Sequence, residues 1–245
     1  MRTHPMLLFV ALIALFAPTV PAQSGAFQIA FHGKPVGEAK FHVSPAGQGR
    51  SSNTSVRFTA QTVTYAISKT EQLSAARQLL QADLSAVVNG QAVHATAIAD
   101  SAKITLAISA NGRTTTTPLD ARPWAVLLPD FDPGALDALL EMAAAHNGRD
   151  LWVILPKQAG SIEPVQMATY PDEKGTLNGK PIPVHHLVAS YAGAKMDLFS
   201  GPENQLLQAE LPQPGFALVR KGFVLKPPAK PLAPPDEPAA GATQN

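Results

Sequence analysis

Apolar side chains recur at every second position along most of this chain, and that period buries one face only of an extended backbone. Phe27, Ile29 and Phe31 share one phase against Gln28 and His32. Val56 and Phe58, then Val63, Tyr65 and Ile67, repeat the phase beyond a Gly/Ser-rich stretch at 47–53 that reads as a loop. Ile104, Leu106 and Ile108 alternate with Lys103, Thr105 and Ser109. Between such runs stand Asn89-Gly90 and Asn111-Gly112, dipeptides that accept the positive φ of two-residue hairpin turns. The segment 73–84 fits a short helix or a bulged strand equally well. After residue 150 the alternation returns at 151–155, 165–170, 184–191, 195–200, 206–211 and 216–225.

A single stretch carries a helical period. Asp132 stands at an N-cap position, Pro133 suits the first turn and Gly148 supplies a stop. Leu136, Leu139, Leu140 and Ala143 form an apolar stripe, with Asp137 and Glu141 pointing elsewhere. A helix of this length, near 133–147, is marginal alone and needs a partner surface, for which the apolar sheet face is the candidate. The expected fold is mostly β: a single curved antiparallel sheet or open β-barrel with one amphipathic helix on its concave face.

The two ends of the chain read differently from its middle. Arg2 precedes a 12-residue apolar run from Met6 to Ala17, and Val20-Pro21-Ala22 offers small residues to a signal peptidase. The run is shorter than the roughly 20 residues of a membrane span, so residues 1–22 are expected to be a cleaved export signal. No integral membrane segment is expected after cleavage. Residues 23–225 form one β domain, and 226–245, with six prolines, an extended tail. The expected address is outside the cytosol, periplasmic or secreted, in a bacterial envelope.

Composition narrows the chemistry. The chain has no cysteine, which excludes disulfides, Cys-ligated zinc, iron–sulfur clusters and a thiol nucleophile. Its formal net charge is +1, and without Arg2 it is zero, so no basic field favours nucleic acid. His32, His42, His94, His146, His185 and His186 show no metal-binding spacing, and neighbours such as His185 and His186 point to opposite faces of a strand. Ala159-Gly160-Ser161-Ile162 lacks the second glycine of a nucleophile elbow. Of the close carboxylates, Asp132 is explained as a cap, and Asp172 with Glu173 sits in a solvated turn beside Tyr170-Pro171. No catalytic residue, metal or cofactor is expected.

Phe31-His32-Gly33-Lys34-Pro35-Val36-Gly37-Glu38-Ala39 resembles the opening of uncharacterised bacterial periplasmic domains of unknown function. Leu177-Asn178-Gly179, Lys195-Met196-Asp197-Leu198-Phe199, Leu206-Leu207-Gln208-Ala209-Glu210 and Val219-Arg220-Lys221-Gly222-Phe223 are similar to their closing meander. The architecture of those domains is similar to lipoprotein carriers of the LolA/LolB type. The resemblance implies a half-barrel whose hydrophobic concave face can hold an acyl chain, and it brings no catalytic residue. The functional expectation is therefore an exported, non-enzymatic protein binding a lipid, an acyl chain or an apolar partner segment. Trp124, Leu136, Leu140 and Trp152 are its candidate ligand-binding residues, the tryptophans bracketing the helix. The alternatives are an envelope scaffold docking through the proline-rich tail, and a hydrolase using Asp130, Asp172 or Glu173 with a histidine.

Overall fold

The computed structural model describes residues 23–226 apart from Gln158 and Pro214. The expected export signal lies outside the described residues, as does the expected tail beyond Lys226. The first half is a meander of eight strands, β1 (Gln23–Phe31), β2 (Lys34–Ala46), β3 (Gly49–Ala60), β4 (Val63–Leu73), β5 (Leu79–Val88), β6 (Gln91–Asp100), β7 (Lys103–Ala110) and β8 (Arg113–Asp120). Then come β9 (Ala125–Leu127), α1 (Pro133–Ala145) and β10 (Leu151–Leu155). The chain closes with β11 (Ser161–Thr169), β12 (Glu173–Leu177), β13 (Lys180–Tyr191), β14 (Ala194–Ser200), β15 (Leu206–Glu210), β16 (Phe216–Arg220) and β17 (Phe223–Leu225).

All these strands belong to one curved sheet, in the lateral order β8 to β1, then β16, β15, β14, β13, β11, β10 and β9. β12 and β17 form a flap beside β13, over a small second core of Val184, Phe199, Leu207 and Phe223. Every described pairing is antiparallel except β9 with β10. That exception follows from the helix: β9, α1 and β10 make a crossover unit, which returns the chain to the end it left.

The turns form where the asparagines stand. Asn89, Asn111 and Asn178 take φ of 50°, 51° and 51°, each followed by a glycine at positive φ. The alternation survives as burial: Phe27, Ile29, Phe41, Val56, Phe58, Ile67, Leu84, Leu106 and Leu198 all point into one core. Two local expectations are corrected. Residues 51–53 belong to β3 rather than to a loop, because their backbone ladders with β2 and β4 on both sides. The run 216–225 is broken at Lys221-Gly222, where Gly222 takes φ 83° and β17 leaves to pair with β12. The segment 73–84 is strand on both sides of a short loop, with a bulge near Leu73.

The helix is capped at its start as its sequence requires. Asp132 Oδ1 accepts from Gly134 N (2.9 Å) and Ala135 N (3.1 Å). Its end is one residue subtler than expected: Asn147, φ 52°, takes the left-handed position, and the N–H of Gly148 reaches the Ala143 carbonyl at 2.8 Å. The expectation that Asp137 points away from the core is overturned. Asp137 is buried and accepts from Leu206 N at 2.9 Å, because the β14–β15 connection closes over that flank of the helix. Glu141 faces out, where Arg50 and Arg77 both pair with it. The helix thus packs against apolar surface nearly all round and occupies most of the hollow of the sheet.

Candidate functional site

The two ends of the sheet overlap instead of joining. Along β4 the inward phase runs Tyr65, Ile67, Lys69, Glu71 and Leu73, so two charges project into an otherwise apolar interior. They meet the free edge of β9. Glu71 Oε1 accepts the N–H of Leu127 at 2.9 Å, and Lys69 Nζ donates to the Leu127 carbonyl at 2.9 Å. Two side chains therefore do what a neighbouring strand would do for an edge. Lys69 also lies 3.0 Å from Glu71 Oε2 and 2.6 Å from Asp132 Oδ2, the latter contact off the ideal hydrogen-bond direction. Burial lowers the affinity of the Lys69 ammonium for its proton, but Asp132 and Glu71 more than offset this and hold its pKa above the ordinary lysine value. One ammonium thus ties together a central strand, the inner edge of the sheet and the N-terminus of the helix. Nearby, the turn between β10 and β11 tucks under β7, where a Cβ on Gly160 would come within 2.2 Å of Leu106 Cδ2.

Between β9 and α1 the chain runs Leu128-Pro129-Asp130-Phe131-Asp132, and here the interior stays open. A pocket of about 220 Å³ is lined on its apolar side by Leu128, Phe131, Leu136, Leu155 and Met196, with Tyr191, Asp130, Lys157 and Gln213 completing its wall. Phe131 holds φ 62°, a left-handed backbone that is costly for an aromatic residue. It is kept there by rings on three sides: Phe58 at 4.6 Å, Phe216 at 5.2 Å and Tyr65 at 5.4 Å between centroids. Asp130 Oδ1 accepts from Gln213 Nε2 at 2.7 Å and pairs with Lys157 Nζ at 2.8 Å, while its carbonyl accepts from Tyr65 Oη at 3.1 Å. Burial, reinforced by the charge of Asp130, pushes the Tyr191 phenol up to about 12, and burial likewise raises that of Tyr65. Both hydroxyls are neutral hydrogen-bonding groups at neutral pH.

The four residues singled out from sequence are not gathered at one point. Leu136 is in the pocket wall, and Leu140, one turn on, is deep in the core. Trp124 and Trp152 adjoin each other at the β9–β10 rung, where Trp152 N donates to Trp124 O at 3.1 Å. Trp124 packs on His146 (3.6 Å between centroids), and Arg122 lies 4.8 Å over the Trp152 ring. Asp130 and Asp132 face different partners, and Asp172 pairs with His185 at 3.0 Å. In sequence Asp130 stands out only as half of a carboxylate pair. Tyr191, Met196 and Gln213 carry no signal there beyond their places in strands and turns.

A larger concavity, about 710 Å³, lies on the solvent face of β2 to β7. It contains a Ser–His–Asp contact, with Ser85 Oγ 3.3 Å from His94 Nδ1 and His94 Nε2 3.5 Å from Asp83 Oδ2. His94 and Asp83 are about half exposed, and Ser85 is in mid-strand with β4 and β6 paired on either side. The ladder takes up the backbone amides an oxyanion hole would need. Among the described residues no three His, Asp or Glu side chains converge as metal ligands, and no helix is long and apolar enough to cross a membrane.

No family model matches the sequence, and no curated protein matches it. Among solved structures the chain is similar to a beta-barrel-like protein of domain of unknown function DUF1849 from Brucella abortus. The TM-score is 0.53 at 10% identity, over 85% of this chain and 99% of that one. The likeness establishes a barrel-like β fold shared with a domain of unknown function.

Proposed function

We propose that the chain is an exported, non-enzymatic β protein of the cell envelope that binds an apolar group in the pocket at the N-terminal end of α1. The group is the end of an acyl chain or an apolar side chain of a partner segment. One observation carries this reading: the helix fills the hollow of the sheet except beside Leu136 and Met196, where an apolar cavity opens next to a left-handed Phe131. Its 220 Å³ falls below the roughly 300–1,000 Å³ typical of pockets for drug-sized ligands, so it accepts a chain end rather than a whole lipid. A left-handed aromatic residue is the kind of strain that gathers at binding sites. Leu136 is the contact residue in this scheme. Leu140, Trp124 and Trp152 hold the helix and β9 in place around it. The carrier-like function implied by a LolA/LolB-type architecture agrees with this arrangement.

The test is a titration of the mature protein with a fluorescent fatty acid, alongside mass spectrometry of lipid co-purified with it. Ala194, half-buried in the pocket wall, is the position for a plug. Ala194→Trp is expected to abolish binding while leaving the far-UV spectrum unchanged. Equal binding by wild type and Ala194→Trp would overturn the assignment.

A further inference from the structure

We infer, building on the pocket just proposed, that its occupant is an amphiphile with a cationic head: an ammonium group carried on an alkyl chain or beside an apolar side chain of a peptide. The polar part of the pocket is not symmetrical in charge or in rigidity. Its anion is built in. Asp130 accepts Gln213 Nε2 on its carboxylate and Tyr65 Oη on its carbonyl, and it adjoins Phe131, whose backbone is locked by surrounding rings. Its cation is not built in. Lys157 has a side chain 58% exposed against 31% for Asp130, and a flexible four-carbon stem.

An incoming ammonium can take the place of Lys157 on Asp130 and release that lysine to water. The ring of Tyr191, in the same wall, supplies the aromatic surface that cations favour. A carboxylate head would instead approach a fixed like charge shielded only by a mobile lysine. A neutral head would leave the Asp130–Lys157 pair as it is and gain only the burial of its chain. The carboxylate of Asp132 does not compete for the head, since it is turned inward to Lys69 and the helix amides.

The experiment is calorimetric titration of the mature protein at pH 7 and low salt with three probes of one chain length: 1-octylamine, 1-octanol and octanoate. Octylamine is expected to bind roughly ten-fold tighter than octanol, the scale of one partly exposed charge-assisted contact, and octanoate more weakly than octanol. Asp130→Asn is expected to bring octylamine to the level of octanol and leave octanol unchanged. Octanoate matching octylamine, or an amine preference that survives in Asp130→Asn, would overturn the inference and leave the pocket assignment standing. Failure of all three probes, or octanol binding undiminished in Ala194→Trp, would instead overturn the pocket assignment on which the inference rests.

Discussion

Replacing Lys69 by methionine should cost this fold a large part of its stability, and the cost can be divided by its causes. At 2.6 and 3.0 Å, the attraction of the ammonium to Asp132 and Glu71 is about 6 kcal/mol each at an effective dielectric near 20. Desolvation cancels much of that, so breaking such a cluster from one side costs about 3–5 kcal/mol. The Leu127 carbonyl also loses its donor, a further penalty of about 1–3 kcal/mol for a buried acceptor. Against a typical total of about 5–15 kcal/mol, Lys69→Met is expected to be close to unfolding at 37 °C.

The more searching variant is the triple Lys69→Met, Glu71→Met, Asp132→Asn. It removes every charge of the cluster, while the side-chain amide introduced at position 132 can still cap the helix. A buried ionic cluster that does nothing else is usually replaced by neutral side chains at no loss, or even with a gain. Here Leu127 would still lack partners for both its N–H and its C=O, which predicts a deficit of about 2–6 kcal/mol. Urea unfolding followed by tryptophan fluorescence, extrapolated linearly to water, measures both variants. A triple variant within about 1 kcal/mol of wild type would show that the charges do not serve the β9 edge, and would refute the reasoning.

Other positions give smaller, separable effects. Burial lifts the Asp137 carboxyl from its ordinary value to about 6, so the native state holds that proton more tightly than the unfolded chain. The contribution of this group to stability is therefore full below about pH 4 and falls as pH rises to about 6, by up to about 3 kcal/mol. Asp137→Asn should flatten that part of the profile in urea unfolding at pH 4.5 and 7.5, and an unchanged slope would assign it to other groups. Asn147→Gly, at a left-handed position ending the helix, should raise thermal stability by a few tenths to about 1 kcal/mol. A lowered melting temperature would contradict the capping geometry. Gly160→Ala should destabilise by about 1–3 kcal/mol in urea unfolding, because φ 79° is strained for alanine and the new methyl meets Leu106. No effect would mean the β10–β11 turn is not tucked under β7.

The hairpins are legible in the sequence because their signals are local. Asn-Gly pairs fix both the turn and the phase of the strands beside it, and Asp132, Pro133 and the Asn147–Gly148 pair delimit the helix within three residues. The parallel β9–β10 pair is not legible, since a three-residue strand carries no periodicity and its partner is chosen by a crossover. The inward charges do leave a trace. Lys69 and Glu71 continue the phase of Val63, Tyr65 and Ile67, so alternation carried past Ile67 places two charges inside the sheet. Nothing local marks Asp137 as buried, because what covers it comes from residues near 206. The left-handed Phe131 and the approach of Gln213 and Tyr191 to Asp130 are likewise products of the closed fold. Leu136 is the one candidate that local pattern could bring to the pocket wall.

The proposed binding depends most on where space is left once the helix has packed into the sheet. Methionine methyl groups report on this directly, because Met196 lines the pocket, Met142 is buried in the helix and Met167 packs by Gly148. In a spectrum of the mature protein with 13C-labelled methionine methyls, saturating octylamine is predicted to move the Met196 resonance and leave Met142 and Met167 where they were. A stationary Met196, or a displaced Met142 showing that the helix itself gives way to the probe, would contradict it.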